Sequence, residues 1–290
     1  MTCIFLAAGH FDALFPLTEK VPLPLLTFVS KPMIDWALDD LYEAVDLFIV
    51  ITNHEYVDAY REWAAKKEFN FIIIIDNGRS YNCPRRGALY DIQYVFDKVP
   101  INDDVLILGG DCLVDFSLCD FLAYAVDHNT SCTMRYKEDS LEECRRHGIS
   151  QVNREDLLTA FDEKPEDPQT HWCTPFIYFF KNKDIKRLPE YMKAKWGKKD
   201  TPGHFIEWIR KRSNVYSMLM PGKRYHIEDM ESYKRAKRNF HGINYPEYVR
   251  PLHDEETEHD VEWYDRRWEL KKKKKGVHYA LLAVFCEDLY

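Results

Sequence analysis

The residues best suited to chemistry sit where apolar runs stop. Leu6-Ala7-Ala8-Gly9 closes the first such run, and His10-Phe11-Asp12-Ala13 follows it. A strand ending in small residues and a glycine lets backbone amides approach a phosphate closely. Gly109-Gly110-Asp111 closes a second run and sets a carboxylate at its end. Arg85-Arg86 directly precede Gly87, and arginine suits bidentate phosphate contacts. Glu163-Lys164 is an adjacent acid and base whose plainest reading is a surface ion pair. His10 and His226 are either structural or chemical; with Asp229 and Asp111, His226 would suit a softer divalent ion than Mg²⁺. There is no G-x-x-x-x-G-K-[ST], H-E-x-x-H or G-x-S-x-G pattern, and no G-x-G-x-x-G after the first run, which excludes the chemistries those motifs carry.

The elements that must position these residues alternate. Cys3 to Ala8, Leu47 to Thr52, Phe69 to Ile75, Val105 to Leu108 and Cys132 to Tyr136 read as strands buried on both faces. Between them lie amphipathic helices over Pro32 to Ala44, with Pro32 at the first helical position, then Tyr56 to Lys66, Gly87 to Phe96 and Leu118 to Asp127. This rhythm predicts an α/β fold with a Rossmann-like mixed, mainly parallel sheet sandwiched by helices. Ligands bind such sheets beyond the carboxyl ends of the strands, so the turns after Ala8 and Leu108 are the first places to look. Later segments predict strands at Gly148 to Val152, Leu157 to Asp162, Phe176 to Phe180 and Val215 to Met220. Helices are predicted around Ile185 to Lys195, Phe205 to Arg212 and Glu231 to Phe240.

No Gly/Ser linker divides residues 1–240, which read as one unit; 241–290 reads as a C-terminal extension. The extension has six acids between Asp254 and Glu262, the aromatics Trp263, Tyr264 and Trp268, a Lys271 to Lys275 run and an apolar Tyr279 to Cys286 stretch. A solvated helix and a short docked element explain these features more simply than a lipid or phosphate site does, because the acidic block opposes anionic partners.

With 46% hydrophobic residues the chain has enough apolar material for a core. The net charge of −8 argues against a surface devoted to nucleic acid. No apolar run reaches the roughly 18 residues of a transmembrane helix, and a cytoplasmic protein is expected. The eight cysteines form no C-x-x-C pair and mostly lie in apolar contexts, as reduced core cysteines do.

A wider pattern joins these landmarks. Leu6-Ala7-Ala8-Gly9 is followed by Pro22-Leu23-Pro24-Leu25-Leu26 and Lys31-Pro32-Met33-Ile34-Asp35. Gly109-Gly110-Asp111-Cys112-Leu113, Phe161-Asp162-Glu163-Lys164-Pro165 and Phe176-Ile177-Tyr178-Phe179-Phe180 come next, then Gly203-His204-Phe205-Ile206-Glu207-Trp208 and Gly222 through Glu231-Ser232-Tyr233. In this order they resemble the sugar-phosphate nucleotidyltransferases, the group containing the glucose-1-phosphate thymidylyltransferases. The resemblance implies that Leu6, Ala7, Ala8, Gly9, His10, Gly87 and Gly110 contact a nucleoside triphosphate or nucleotide sugar. It implies that Gly148, Glu163 and Lys164 hold the sugar of a small phosphorylated substrate. A divalent metal, Mg or Mn, would lie between Asp111 and the position of His226.

Several positions depart from that pattern. The loop arginine is Ala13, the lysine of P-K-P is Leu23, and the second metal aspartate is His226. Phe11 and Asp12 add bulk and negative charge to the loop, and Glu228 replaces a glycine. Attack of one phosphate on another brings two anions together, and losing one stabilising group typically costs about 10² to 10³ in rate. Lys20, Lys31, Arg79, Arg85, Arg86 and Arg224 are the available replacement cations, with Asp111, Arg85 and Arg86 the expected catalytic set. Two functions follow: a nucleotidyltransferase with a divergent site, or a catalytically impaired relative that binds nucleotide, nucleotide sugar or a protein partner. The extension is the expected surface for a homo-oligomer or protein partner.

Overall fold

Short apolar strands set the architecture because their alternate side chains enter two different cores. Cys3 and Phe5 of the first strand join one cluster with Ile34, Leu38, Phe48 and Tyr60. Ile4 and Leu6 point the other way, to Leu89, Ile92 and Phe205. The computed structural model describes residues 1–245 apart from 68, 70, 81–85, 195 and 196. Arg85 and the features expected within 246–290 therefore lie outside the described residues.

In chain order, β1 (Thr2–Leu6) leads through the two-residue strands β2 (Thr27–Phe28) and β3 (Lys31–Pro32) to α1 (Met33–Leu41). There follow β4 (Leu47–Thr52), α2 (Val57–Ala65), β5 (Ile72–Asp76), α3 (Ala88–Lys98) and β6 (Val105–Gly109). The next stretch holds β7 (Cys112–Val114), α4 (Leu118–His128), β8 (Ser131–Lys137), α5 (Leu141–Cys144), β9 (Gly148–Val152), β10 (Leu158–Glu163), β11 (Trp172–Thr174) and β12 (Ile177–Phe180). The last holds α6 (Asn182–Ile185), α7 (Leu188–Lys193), α8 (Pro202–Ile209), β13 (Val215–Leu219), β14 (Arg224–His226) and α9 (Met230–Asn239).

The large sheet runs β10-β9-β11-β8-β12-β6-β1-β4-β5, with β13 added beside β8. Its β6-β1-β4-β5 half is parallel throughout. Beyond β6 the pairing turns antiparallel, except for β13 on β8. This is the α/β class and mixed sheet that the alternation predicts.

Three local expectations are corrected. Pro32 is not the first helical residue: its ψ of 146° keeps it extended in a ribbon, and α1 begins at Met33. The helix expected over Ile185 to Lys195 is two short helices that break at 186–187, with Pro189, which supplies no amide hydrogen, in the first turn of the second; Lys195 lies outside the described residues. The helix expected from Phe205 starts at Pro202, which occupies its first turn. Strands β7, β11 and β14 were not expected at all, being three residues each and too short for a periodic signal.

A third cluster packs the long loop after β1. Leu14, Leu23, Phe28 and Met33 bury against Leu113, Ile227 and Phe240, with Phe11 at its margin. Among the described residues no helix is long and apolar enough to cross a membrane.

Candidate active site

A cleft of about 280 Å³ opens beyond the carboxyl ends of β1, β4, β5 and β6. Glycines give its walls their shape. The Gly110 amide donates to the Leu6 carbonyl at 2.9 Å, and a Cβ on Gly110 would stand 2.7 Å from that same oxygen. Gly87 has φ +97°, and a Cβ there would meet the Asp200 backbone at 2.4 Å. The Ala88 amide donates to the Asp200 carbonyl at 2.7 Å, which fixes how α3 enters the cleft.

Of the residues expected to contact nucleotide, Leu6, Ala8, Gly9, His10, Gly87 and Gly110 line this cleft. Ala7 does not: it is fully buried and its amide donates to the Ile51 carbonyl at 2.8 Å. Phe11 also lines the cleft, its ring tip 3.1 Å from where a Gly9 Cβ would be. Of the candidate cations, Arg79 and Arg86 reach the cleft wall. Lys31 bonds Asp39 at 2.6 Å and covers the Trp36 ring at 4.1 Å. Leu23, at the family's lysine position, is fully buried, whereas Ala13 is exposed.

Asp111 stands on the cleft floor because β7 pairs with β14. In that register His226 faces Cys112, and the Ile227 amide donates to the Asp111 carbonyl at 2.8 Å. The Asp111 Oδ2 and His226 Nδ1 atoms are 3.9 Å apart. Asp111 Oδ1 and His226 Nδ1 are both buried without hydrogen-bond partners. His226 Nε2 lies 3.5 Å from Glu228 Oε2, and Arg146 donates to that same oxygen. Glu228 is therefore charge-paired rather than a bare acid facing phosphate. Asp229 is not part of this group, since its side chain caps α9 by accepting from the Ser232 amide at 2.7 Å. That hydrogen bond holds its carboxyl below the usual carboxylate range.

Further along the sheet, Arg224 donates to Tyr136 Oη at 2.7 Å and lies 3.3 Å from His147 Nε2. Burial, followed by the Arg224 charge, holds His147 down at about 3, so its neutral ring accepts from Arg224. Arg224 is thus committed within the fold and is corrected as a replacement phosphate cation.

Glu163 is also corrected as one half of a surface ion pair. A Cβ on Gly203 would stand 1.8 Å from Glu163 Oε2, and one on Gly148 would stand 2.9 Å away, so both glycines make room for the carboxyl. That oxygen has no hydrogen-bond partner. Burial pushes the Glu163 carboxyl up to about 7, against the opposing pull of Lys164. Lys164 itself is exposed, at φ +50°, and its amide donates to the His147 carbonyl at 3.1 Å.

Asn53, Asn77 and Asp91 line the cleft without having been singled out from the sequence. Asn53 and Asn77 directly follow β4 and β5. The rule that directed attention to the turns after Ala8 and Leu108 would have found both had it been applied to every parallel strand.

Comparison with known proteins gives the same lineage. The chain is 24% identical over 220 residues to a glucose-1-phosphate adenylyltransferase of Lachnospira eligens, covering 70% of this chain and 52% of that protein. The chain thus spans about half the length of that relative. A protein from Bacillus anthracis assigned as a glucose-1-phosphate thymidylyltransferase, solved in complex with a sucrose, superposes with TM-score 0.71 at 18% identity, covering 84% of this chain and 96% of that one. A UDP-glucose pyrophosphorylase complexed with UDP-glucose gives 0.68 at 19% identity, covering 82% and 97%. At such identities these structures speak for the fold. The model of the nucleotidyl transferase family matches residues 2–265. The chain belongs to the nucleotidyl transferase family.

Proposed function

We propose that this protein joins a nucleoside triphosphate to a sugar phosphate or similar small phosphate, releasing pyrophosphate. The observation that carries this reading is Asp111, with a buried and partnerless Oδ1, on the floor of a glycine-walled cleft at the strand ends. A phosphate oxygen of the small substrate attacks the α-phosphorus. The new P–O bond forms as the bond to the bridging oxygen breaks, and its electron pair leaves with pyrophosphate.

In this reading the Gly9, Gly87 and Gly110 backbone shapes the nucleotide site. Arg86 opposes phosphate charge in place of the missing loop arginine and lysine, Arg85 belongs to the same set, and Glu163 and Lys164 hold the sugar. The body that does this ends near residue 240, with α9.

The residues present fit a divalent ion, Mg²⁺ or Mn²⁺, held by Asp111 and His226. Among the described residues no three His, Cys, Asp or Glu side chains gather as a metal site. Two protein donors completed by phosphate oxygens match the way small divalent ions bind nucleotides. When bound, such an ion neutralises charge on the triphosphate.

The test is pyrophosphate release by the full chain from each common NTP, paired with sugar 1-phosphates, in Mg²⁺ or Mn²⁺. We expect release with at least one pair and a loss of at least about 10²-fold in Asp111→Ala. Release no greater than that of Asp111→Ala would overturn the reading and leave the catalytically impaired alternative.

A further inference from the structure

The cleft has a second polar centre, remote from Asp111, that the reaction does not use. Asp91 lies in the first turn of α3 and faces the cleft with Asn77. Asn77 Nδ2 donates to Asp91 Oδ1 at 3.1 Å, while Asn77 Oδ1 accepts from the Arg79 amide at 3.0 Å. These two bonds fix which way the Asn77 amide points, so its second N–H is available beside the carboxylate. Asn53, 1% exposed, shares the same wall, and its Nδ2 has no partner. A buried donor left unsatisfied by the protein marks a wall that a ligand completes.

Position excludes phosphate as that ligand. The strand order β6-β1-β4-β5 places Asp111 beyond one end of this set and Asn77 beyond the other. Three strand spacings separate them, about 14 Å at roughly 4.8 Å each, which is the span of a nucleotide. Asp111 stands beside the imidazole of His226, a second metal donor, whereas Asp91 is bonded to an amide and would repel phosphate, so Asp91 belongs to the far, base end.

We propose that Asp91 and Asn77 select guanine nucleotides by reading the base edge. Guanine offers O6 as an acceptor, then N1–H and N2–H as two adjacent donors. The spare Asn77 N–H meets O6, and the two Asp91 oxygens accept from N1 and N2. Uracil and thymine match at the first two positions but set a carbonyl against the second carboxylate oxygen. Adenine and cytosine present a ring acceptor where the carboxylate needs a donor. A site built on buried polar groups discriminates strongly, because a wrong base leaves those groups unpaired. Burial raises the Asp91 carboxyl, while the Asn77 bond and the Arg79 charge oppose that rise, as does its place in the first turn of a helix.

This inference rests on the cleft being a nucleotide site, and calorimetric titration of the full chain separates the two. With Mg²⁺ present, GTP and 2′-deoxy-GTP should bind alike and at least tenfold tighter than ATP, UTP or CTP. ITP, which lacks the 2-amino group, should bind about tenfold more weakly than GTP. Asp91→Asn should lose GTP and gain XTP, whose C2 carbonyl accepts from the new amide, and that gain also shows that the variant is folded. Another base bound as tightly as GTP, or Asp91→Asn still preferring GTP to XTP, would overturn the guanine assignment alone. So would a large loss with 2′-deoxy-GTP, which would move Asp91 to the ribose. Failure of every triphosphate to bind would overturn the nucleotide reading with it.

Discussion

On the proposed reading, the parallel half of the sheet and the antiparallel side of the molecule contribute opposite parts of a phosphate-handling site. In the parallel half the backbone is retained: Gly110 and Gly87 sit where any side chain would strike main-chain atoms. The charged side chains expected there are gone, and Leu23 is fully buried in the cluster formed by the β1 loop. On the antiparallel side, which includes the separate β7–β14 ribbon, the charged groups are present but already bonded within the fold. Arg224 is held by Tyr136 and His147, and Glu228 by Arg146. Shape at a ligand site is imposed by backbone approach, which only glycine permits at these points. Charge belongs to side chains that can be moved or internally neutralised without disturbing the fold. The net −8 of the sequence says little about this cleft, where Arg79, Arg86, Asp91 and Asp111 set the local field.

Leu23→Lys tests that contrast most severely. If the position were only a vacated phosphate contact, lysine would be tolerated and turnover would rise. Because Leu23 is enclosed by Leu14, Phe28 and Met33, we expect a loss of about 3–5 kcal/mol for a buried, unpaired charge. At this chain length that lowers the melting temperature by roughly 10 °C. An unchanged melting temperature would show that the loop core is not what fixes this side of the cleft.

The sequence makes the parallel half largely legible. Its strands are continuous apolar runs and its helices show clear periodicity, so β1, β4 and β6 fall within a residue or two of expectation. The antiparallel half and the separate β7–β14 ribbon are less so, because β7, β11 and β14 are three residues each and owe their existence to partners distant in sequence. The Asp111 and His226 pairing depends on β7 meeting β14, which local pattern does not reveal. Glu163 is the clearest case: its neighbour in sequence is Lys164, yet its surroundings in space are Gly148 and Gly203. Adjacency suggests an ion pair, whereas the fold makes a half-buried acid with one enclosed oxygen.

Ala13→Arg gives a smaller effect and sharpens the other side of the contrast. The position is exposed, so folding stability should stay within about 0.5 kcal/mol. Turnover, measured as pyrophosphate release, should rise by about tenfold or more as a phosphate-facing cation returns. An unchanged rate would show that Arg86 already supplies the charge.

The smallest effect lies in the pH dependence of the antiparallel half, where two half-buried groups oppose each other. Glu163 is lifted from 4.5 to about 7, so between those values the unfolded chain has lost a proton that the folded chain keeps. Stability from this group therefore falls as pH rises through the window. His147 is lowered from 6.5 to about 3, so between those values the unfolded chain binds a proton that the folded chain refuses. Its contribution falls as pH drops. The windows overlap from 4.5 to 6.5, where the two slopes cancel and leave the native protein comparatively insensitive to pH. Glu163→Gln removes one slope and keeps the shape of the side chain. Urea unfolding of the variant should then show stability rising with pH across the overlap, by up to about 1.4 kcal/mol per pH unit. A profile as flat as that of the native chain would show that Glu163 is not held neutral in the fold.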